Sequence, residues 1–254
     1  MTAAAGADPA VVGPYLAEAL GDPAWTAPTV TLIAGGKSNL TYRVDSPAGS
    51  VVLRRPPLGH VLPTAHDMAR EHRVMSALAG TAVPVPRMRH FCSDAEVLGQ
   101  PFYVMDLVEG HIIRQVFPEG YASTDAERRQ VCERLVDVLG ALHQVDPADV
   151  GLSDFGRPDG YLARQVARWS KQWDASRLDG MEALDELAAS LTAALPQTQR
   201  HTVVHGDYRL DNTVLDPEDV GRVLAVLDWE MSTLGDPLAD LGVLLVYWNQ
   251  ADDT

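Results

Sequence analysis

Cysteine is nearly absent: Cys92 and Cys132 are the only two in 254 residues. Two thiols make neither a disulfide framework nor a metal-ligand cluster, so buried or half-buried thiols in a reducing cytosol are expected. Long apolar runs are missing too. The longest near the end, Leu241 to Trp248, is too short for a membrane span and contains Gly242. No basic segment followed by an apolar one opens the chain, which reads as a cytoplasmic protein without a secretory signal. Basic residues are scarce, 20 Lys and Arg against 35 Asp and Glu, for a formal net charge of −15. The scarcity is local. Residues 1–110 hold 10 acidic and 8 basic side chains, a net of −2, whereas residues 111–254 hold 25 and 12, a net of −13. Nucleic acid is thereby excluded as a partner, because neutralising phosphates needs a basic patch. The acidic half suits either a cationic small molecule or a plain solvated surface.

The chain is long enough for one large core or two small ones. Residues 1–28 are rich in Ala, Gly and Pro and read as a flexible lead-in with one short helix over Val11 to Leu20. Strands are expected at Thr29–Ile33, Leu40–Val44, Val51–Leu53 and Pro101–Leu107. A helix is expected over Thr64–Ala79, with Thr64 as N-cap and Gly80 as stop. Met68, Met75 and Leu78 share one face of it, and Glu71 falls on that face, where a charge needs a buried partner or a function. Thr124 to Gln144 is an amphipathic helix. Thr124 and Glu127 make its capping box, and Val131, Leu135, Val138 and Leu142 its buried stripe. Further helices are expected at Asp159–Trp173 and Met181–Leu195. Short strands follow at Thr202–His205, Thr213–Leu215 and Val223–Leu227. Strands with one helix, then mostly helices, divide the chain into residues 29–110 and 111–254.

Most of the chemistry lies in His205-Gly206-Asp207-Tyr208-Arg209-Leu210-Asp211-Asn212 and, sixteen residues on, Asp228 at the end of an apolar strand. H-G-D-x-x-x-x-N arises by chance in on the order of one such chain in a thousand, from average residue usage. A carboxylate that takes or orients a hydroxyl proton, and an Asn with an Asp that hold Mg²⁺, are what phosphoryl transfer from ATP requires. Asp207 is the candidate base, and Asn212 and Asp228 are the candidate metal ligands. His205 is expected to support the loop. Gly35-Gly36-Lys37-Ser38-Asn39 is either a hairpin turn or a loop whose exposed N–H groups meet phosphate oxygens.

These residues resemble the aminoglycoside phosphotransferase/choline kinase family, a small-molecule branch of the protein-kinase-like fold. The resemblance runs from about Thr31 to the last residue. It includes Asp228-Trp229-Glu230 and Gly235-Asp236-Pro237 with Asp240-Leu241. Gly35-Gly36-x-Ser38-Asn39-x-Thr41-Tyr42 and Val52-Leu53-Arg54-Arg55-Pro56-Pro57 are similar to a subgroup found beside, or fused to, acyl-CoA dehydrogenases. The resemblance implies an α+β bilobal fold, with a small β-rich N-lobe for nucleotide and a mainly helical C-lobe for catalysis and metal. It also implies a loop at Gly35–Asn39 over the ATP phosphates. A third-strand lysine should pair with a helix Glu; here Arg54 stands in its place with Glu71 as partner, and Arg55 is the fallback. The hinge falls at Tyr103–Val108. Met105 would back the adenine pocket, and the Asp106 carbonyl and Val108 N–H would meet the adenine edge. Asp236 and Asp240 would brace the catalytic loop and cap the next helix.

The implied activity is transfer of the γ-phosphate of Mg-ATP to a hydroxyl of a small molecule. Aminoglycoside-like, choline-like and hydroxyacyl thioester acceptors are all open. Replacement of the lysine by Arg54 also leaves open a weak or inactive nucleotide-binding protein. Family C-lobes usually run well beyond the Asp236–Leu241 segment, so the C-lobe is expected to be truncated at Thr254. Oligomeric state leaves no trace in the sequence.

Overall fold

A computed structural model describes residues 5–33, 39–59, 66–178 and 180–248. The chain forms two compact units, residues 1–138 with 210–230, and residues 139–209 with 231–254. This division differs from a cut at residue 110, because the segment carrying Asn212 and Asp228 groups with the first unit.

The first unit is built on a five-stranded antiparallel sheet in the order β1-β2-β3-β5-β4. Its strands are β1 (Thr29–Leu32), β2 (Leu40–Ser46), β3 (Gly49–Arg55), β4 (Met88–Cys92) and β5 (Phe102–Asp106). Strand alternation splits it into two faces. Tyr42, Val44, Val51, Leu53, Phe102 and Val104 pack with Ala7, Val12, Leu16 and Trp25 of the N-terminal segment. Val52, Arg54, Tyr103 and Met105 alternate with them. β4 escaped the sequence reading because Arg89 and His90 break its apolar pattern.

The short helix expected within the lead-in is present, starting two residues earlier and ending one residue earlier than expected. Residues 9–19 form helix α1 (Pro9–Ala19), capped by Asp8, whose side chain accepts from the Ala10 N–H. Val12 and Leu16 stand one helical turn apart and are fully buried, as is Trp25 nearly so. Four apolar anchors outweigh an Ala-, Gly- and Pro-rich composition. Arg55 ties the same segment down. Its Nη1 donates to the carbonyls of Gly6 at 2.5 Å and Leu98 at 2.8 Å, and its Nε to Pro56 at 3.2 Å. Gly6 is required here: its φ is +90°, and a Cβ would stand 2.8 Å from Leu58 Cδ2. Arg55→Ala should therefore destabilise the first unit by about 2–3 kcal/mol, through lost charge-assisted hydrogen bonds and stranded carbonyls. A urea unfolding curve, compared with that of Arg54→Lys, measures it; an unchanged midpoint would contradict the anchoring role.

Helix α2 (Met68–Leu78) begins later than expected. Asp67 is its N-cap, accepting from the Arg70 N–H at 3.0 Å, so the cap lies one turn after Thr64, which is outside the described residues. Met68, Glu71, Val74, Met75 and Leu78 are its buried face. A short helix α3 (Ala95–Leu98) connects β4 to β5.

Helix α4 (Asp125–Gln144) starts with the expected capping box. Glu127 N–H donates to Thr124 Oγ1 at 3.2 Å, and Thr124 N–H to Glu127 Oε2 at 2.9 Å. Its buried stripe is Val131, Leu135, Val138 and Leu142. The second unit contains α5 (Tyr161–Ser176), α6 (Glu182–Ala193) and strand β6 (Thr202–Val204), which pairs antiparallel with β9 (Thr233–Gly235). The hairpin β7 (Thr213–Leu215) and β8 (Val223–Val226) belongs to the first unit. Helix α7 (Leu238–Val246) follows Asp236, whose Oδ1 accepts from the Leu238 N–H at 2.9 Å. Among the described residues, no helix is long and apolar enough to cross a membrane.

Candidate active site

In the first unit, Arg54 is the centre of a buried polar cluster. Its β3 position faces α2, so its Nε lies 3.1 Å from Glu71 Oε2. Its Nη2 donates to Asp228 Oδ1 at 2.5 Å and lies 3.8 Å from Glu230 Oε2. Glu71 also accepts from the Tyr103 hydroxyl at 2.9 Å and from Asn39 Nδ2 at 2.9 Å. The second Asn39 Nδ2 bond goes to Glu230 Oε2 at 3.0 Å. Arg54 and Tyr103 are direct partners across β3 and β5, which brings both onto the same carboxylate. The structure thus unites Arg54, Glu71 and Asp228, and adds Tyr103 and Glu230, which the sequence reading missed. Tyr103 becomes visible only when the strand register is known. Asn39 ends the expected phosphate loop, and its side-chain amide donates to Glu71 and Glu230. Gly35, Gly36, Lys37 and Ser38 lie outside the described residues.

Asp228 has φ +65°, a left-handed conformation that Asp tolerates better than most residues. The turn is fixed on both sides. Leu227 N–H donates to the Asn212 carbonyl at 2.8 Å, and Trp229 Nε1 donates to the Val226 carbonyl at 3.0 Å with its ring fully buried. The two candidate metal ligands therefore sit at the open end of one hairpin. Three carboxylates, Glu71, Asp228 and Glu230, face the single guanidinium of Arg54, a surplus that a divalent cation would offset. Among the described residues no three His, Cys, Asp or Glu side chains form a metal cage. Mg²⁺ takes one or two protein carboxylates and completes its shell with water and phosphate oxygens, and Asp228 with Asn212 could supply such a set.

Burial pushes the Glu71 carboxyl up to about 7, against the opposing pull of Arg54 and the Tyr103 hydroxyl. Burial works against the Arg54 charge, but Tyr103, Glu71 and Asp228 outweigh it and hold the guanidinium above its usual range. The folded state thus holds the Glu71 proton more tightly than the unfolded chain, whose ordinary value is 4.5. The stabilising effect of that proton is complete below the unfolded value and is lost as pH rises through about 7. Glu71→Gln should flatten this part of the profile. Denaturant unfolding between pH 5 and pH 8 tests it, and an equal slope in both proteins would refute the assignment.

At the hinge, Met105 is buried and pairs with Val52 and Met88 in the sheet. The Asp106 N–H donates to the Arg87 carbonyl at 2.9 Å, and the Asp106 carboxylate pairs with Arg89. Val108 follows in the non-strand segment beyond β5.

In the second unit, Asp240 is fully buried and braces the loop that carries His205, Gly206 and Asp207. Its Oδ2 accepts from the His205 N–H at 2.8 Å and its Oδ1 from the Gly206 N–H at 2.7 Å, while His143 Nε2 lies 3.0 Å from Oδ2. Gly206 has φ +85°, and a Cβ there would stand 2.8 Å from the Met231 carbonyl, so only glycine fits. The Asp207 N–H donates to His205 Nδ1 at 3.2 Å, which makes the ring an acceptor and a loop support. The Asp207 carboxylate is held by Arg209, whose Nε donates to Oδ2 at 3.3 Å. His143 and Arg209 were not singled out from sequence, although Arg209 lies inside the motif.

Beside Gly206, a cavity of about 340 Å³ is lined by Tyr161, Gln165, Arg168, Trp169, Met231 and Val243, among others. Among the described residues its wall carries one cation, Arg168, and no carboxylate.

Residues 29–254 match the model of the phosphotransferase enzyme family. The chain belongs to that family. Acyl-CoA dehydrogenase family member 11 of Rattus norvegicus is 41% identical over 221 residues, 87% of this chain and 28% of the relative. Family member 10 of Mus musculus is 42% identical over 206 residues, 81% of this chain and 19% of the relative. The chain thus spans under a third of the length of these relatives. Among solved structures, a proposed aminoglycoside phosphotransferase of Ralstonia eutropha JMP134 superposes with a TM-score of 0.83 at 36% identity, covering 97% of this chain and 71% of that one. The GDP and kanamycin complex of APH(2")-IIIa has the same fold, with a TM-score of 0.66 at 17% identity over 86% of this chain and 72% of that one. The α+β protein-kinase-like class, β-rich first and helical second, is the architecture of these structures.

Proposed function

We propose that this chain transfers the γ-phosphate of Mg-ATP to a hydroxyl of a small molecule. The carrying observation is Arg54 held at once by Glu71 and Asp228, a cation poised for phosphate beside a carboxylate poised for metal. In this reading Arg54 contacts the phosphates, Asn212 and Asp228 hold Mg²⁺, and Met105, the Asp106 carbonyl and the Val108 N–H receive the base. Bound Mg²⁺ supplies neutralisation of the phosphate charge. Asp207 accepts the hydroxyl proton.

Among acceptors, we favour a hydroxyacyl thioester over an aminoglycoside-like or choline-like cation. The relatives named as acyl-CoA dehydrogenases support it, and so does the carboxylate-free cavity wall with Arg168. A polycation would need carboxylates there, so the local wall outweighs the acidic average of the half. The two thiols suit a reducing compartment, the cytoplasm. A weak or inactive nucleotide-binding protein is the second reading. It is favoured by the 2.5 Å bond from Arg54 to Asp228, which competes with metal for the same oxygen.

Calorimetric titration of ATP with and without MgCl₂ tests the nucleotide half. Binding should be strengthened by Mg²⁺, and no binding at millimolar ATP would refute it. A transfer screen over hydroxyacyl thioesters, kanamycin and choline tests the other half. Binding without transfer to any acceptor would leave the second reading standing.

A further inference from the structure

We propose that Tyr161, Gln165 and Arg168 of α5 select the acceptor by gripping an acyl oxygen, the carbonyl of a thioester or the carboxylate of a free hydroxy acid. The inference rests on the phosphotransfer reading and names the atoms by which that acceptor is chosen. The three residues stand at i, i+4 and i+7 on one face of α5, so all reach the same space. That space is the cavity of about 340 Å³ beside Gly206. Its lining residues all belong to the second unit. The volume lies at the lower end of the ~300–1,000 Å³ range of small-molecule sites.

Tyr161 is the most firmly fixed of the three. It opens α5, and its N–H donates to the Pro158 carbonyl at 3.1 Å. Its ring lies against Gly235 of β9, where a Cβ would stand 2.9 Å from three ring carbons. The residue is 7% exposed, yet its hydroxyl makes no hydrogen bond among the described residues. Burial, then the charge of Asp240, raises that hydroxyl above its usual range, while the nearby charge of Arg168 pulls the other way. It therefore stays protonated at neutral pH and can donate. Gln165 and Arg168 likewise make no side-chain hydrogen bond or ion pair among the described residues. The Arg168 guanidinium carbon stands 5.0 Å from the centre of the Trp169 ring, a contact that steadies it. An arginine left without a carboxylate is notable where residues 111–254 hold 25 acidic and 12 basic side chains. Asp236 and Asp240 do not line the cavity; they accept from the main-chain N–H groups of Leu238 and of His205 and Gly206.

The wall thus offers a guanidinium, an amide and a phenol as donors, together with the apolar surfaces of Trp169, Met231 and Val243. This combination fits a short hydroxyacyl group. Its acyl oxygen takes the donors, and its carbon chain packs on the apolar side chains. Gly206 lines the same cavity and directly precedes Asp207, which puts the acceptor hydroxyl next to the candidate base. A polyamine or a choline-like cation would meet Arg168 and find no carboxylate on this wall.

Calorimetric titration of the whole chain, with and without the non-hydrolysable Mg-AMPPNP, tests the site by binding alone. The probes are 3-hydroxybutyrate against 1,3-butanediol, which lacks the acyl oxygen, and 3-hydroxybutyryl-CoA against coenzyme A. In each pair the first should bind about tenfold or more tightly than the second, and the pair with the larger gain names the source of the oxygen. Arg168→Ala should weaken binding of the acyl probes by about 10–100-fold, the worth of a charge-assisted hydrogen bond, and erase their preference over the controls. Arg168→Lys should recover part of the loss, because charge survives without the planar fork. Tyr161→Phe, which keeps the ring on Gly235, should weaken binding about three- to tenfold. Arg168 is exposed, and circular dichroism checks that its variants fold; if Arg168→Ala does not, Arg168→Lys and Tyr161→Phe carry the test. No preference in either pair, or wild-type preference retained in Arg168→Ala, would overturn the inference. Binding that obeys these rules without phosphate transfer to either acyl probe would overturn the phosphotransfer reading and support the recognition site. Transfer to an acceptor that is indifferent to Arg168 and Tyr161 would do the reverse.

Discussion

Asp207→Asn should remove most phosphoryl transfer, by ~10²–10⁴-fold in kcat, while nucleotide affinity stays within about twofold of wild type. The amide keeps the size of the side chain but cannot take a proton. It also loses the charge of its pair with Arg209, whose Nε lies 3.2 Å from Oδ1, although the amide oxygen can still accept from that N–H. The loop itself should survive, because the Asp207 main-chain bond to His205 Nδ1 and the Asp240 bonds to His205 and Gly206 do not involve the substituted group. The defect should therefore appear in the chemical step and not in folding. Single-turnover kinetics at saturating Mg-ATP, with calorimetry on the same sample, separates the two. Near wild-type turnover would show that another group accepts the proton. Asp228→Ala makes the contrasting case, with a loss of the Mg²⁺-dependent part of binding.

The candidate catalytic loop stands out in the sequence because phosphoryl transfer would demand such side chains at fixed spacing. His205, Asp207, Asn212 and Asp228 are written in two short segments. What joins them to their surroundings was not written there. The pairing of Arg54 with Tyr103 follows from the register of β3 on β5, and register is a property of the sheet. Glu71 could be flagged, since a charge inside the apolar stripe of α2 needs a partner. Its pairing with Arg54 followed from the resemblance and is present, whereas Tyr103 and Asn39, from a separate strand and turn, were not read as its partners. In the N-terminal segment the short helix was legible and its packing was not. Its Ala, Gly and Pro content pointed to mobility, whereas Ala7, Val12, Leu16 and Trp25 supply enough buried apolar surface to fix it. Composition averages over a segment, but a few anchors decide whether it packs. β9 was missed because it is three residues long and pairs with the distant β6, so it shows no period of its own.

Arg54→Ala should raise the Mg-ATP concentration needed for half-maximal rate and lower kcat, with an effect larger than that of any Arg55 substitution on the same quantities. The two arginines are adjacent in β3 and face opposite sides of the sheet. Arg54 meets Glu71, Asp228 and Glu230, whereas Arg55 meets the carbonyls of Gly6, Leu98 and Pro56. Loss of the first removes the cation of the carboxylate cluster; loss of the second loosens the N-terminal segment. Arg54→Ala also costs stability, since removing one partner of a buried pair typically costs about 3–5 kcal/mol. The cost should fall toward the lower end here. Glu71, pushed up to about 7, can take a proton in place of its lost partner, and Asn39 and Tyr103 still donate to it. Arg54→Lys decides between the two functional readings. A lysine keeps the charge near Glu71 but has no second nitrogen with which to span Glu71 and Asp228 together. If the Arg54 bond to Asp228 restrains metal entry, the lysine variant should bind Mg-ATP at least as tightly as wild type and turn over no more slowly. If Arg54 is instead the tuned phosphate ligand of this chain, the lysine variant should keep only part of the activity, with a higher KM for Mg-ATP. Equal indifference of Mg-ATP binding and turnover to Arg54→Ala, Arg54→Lys and Arg55→Ala would mean that no third-strand cation serves the phosphates, and the nucleotide-binding assignment of this cluster would fall.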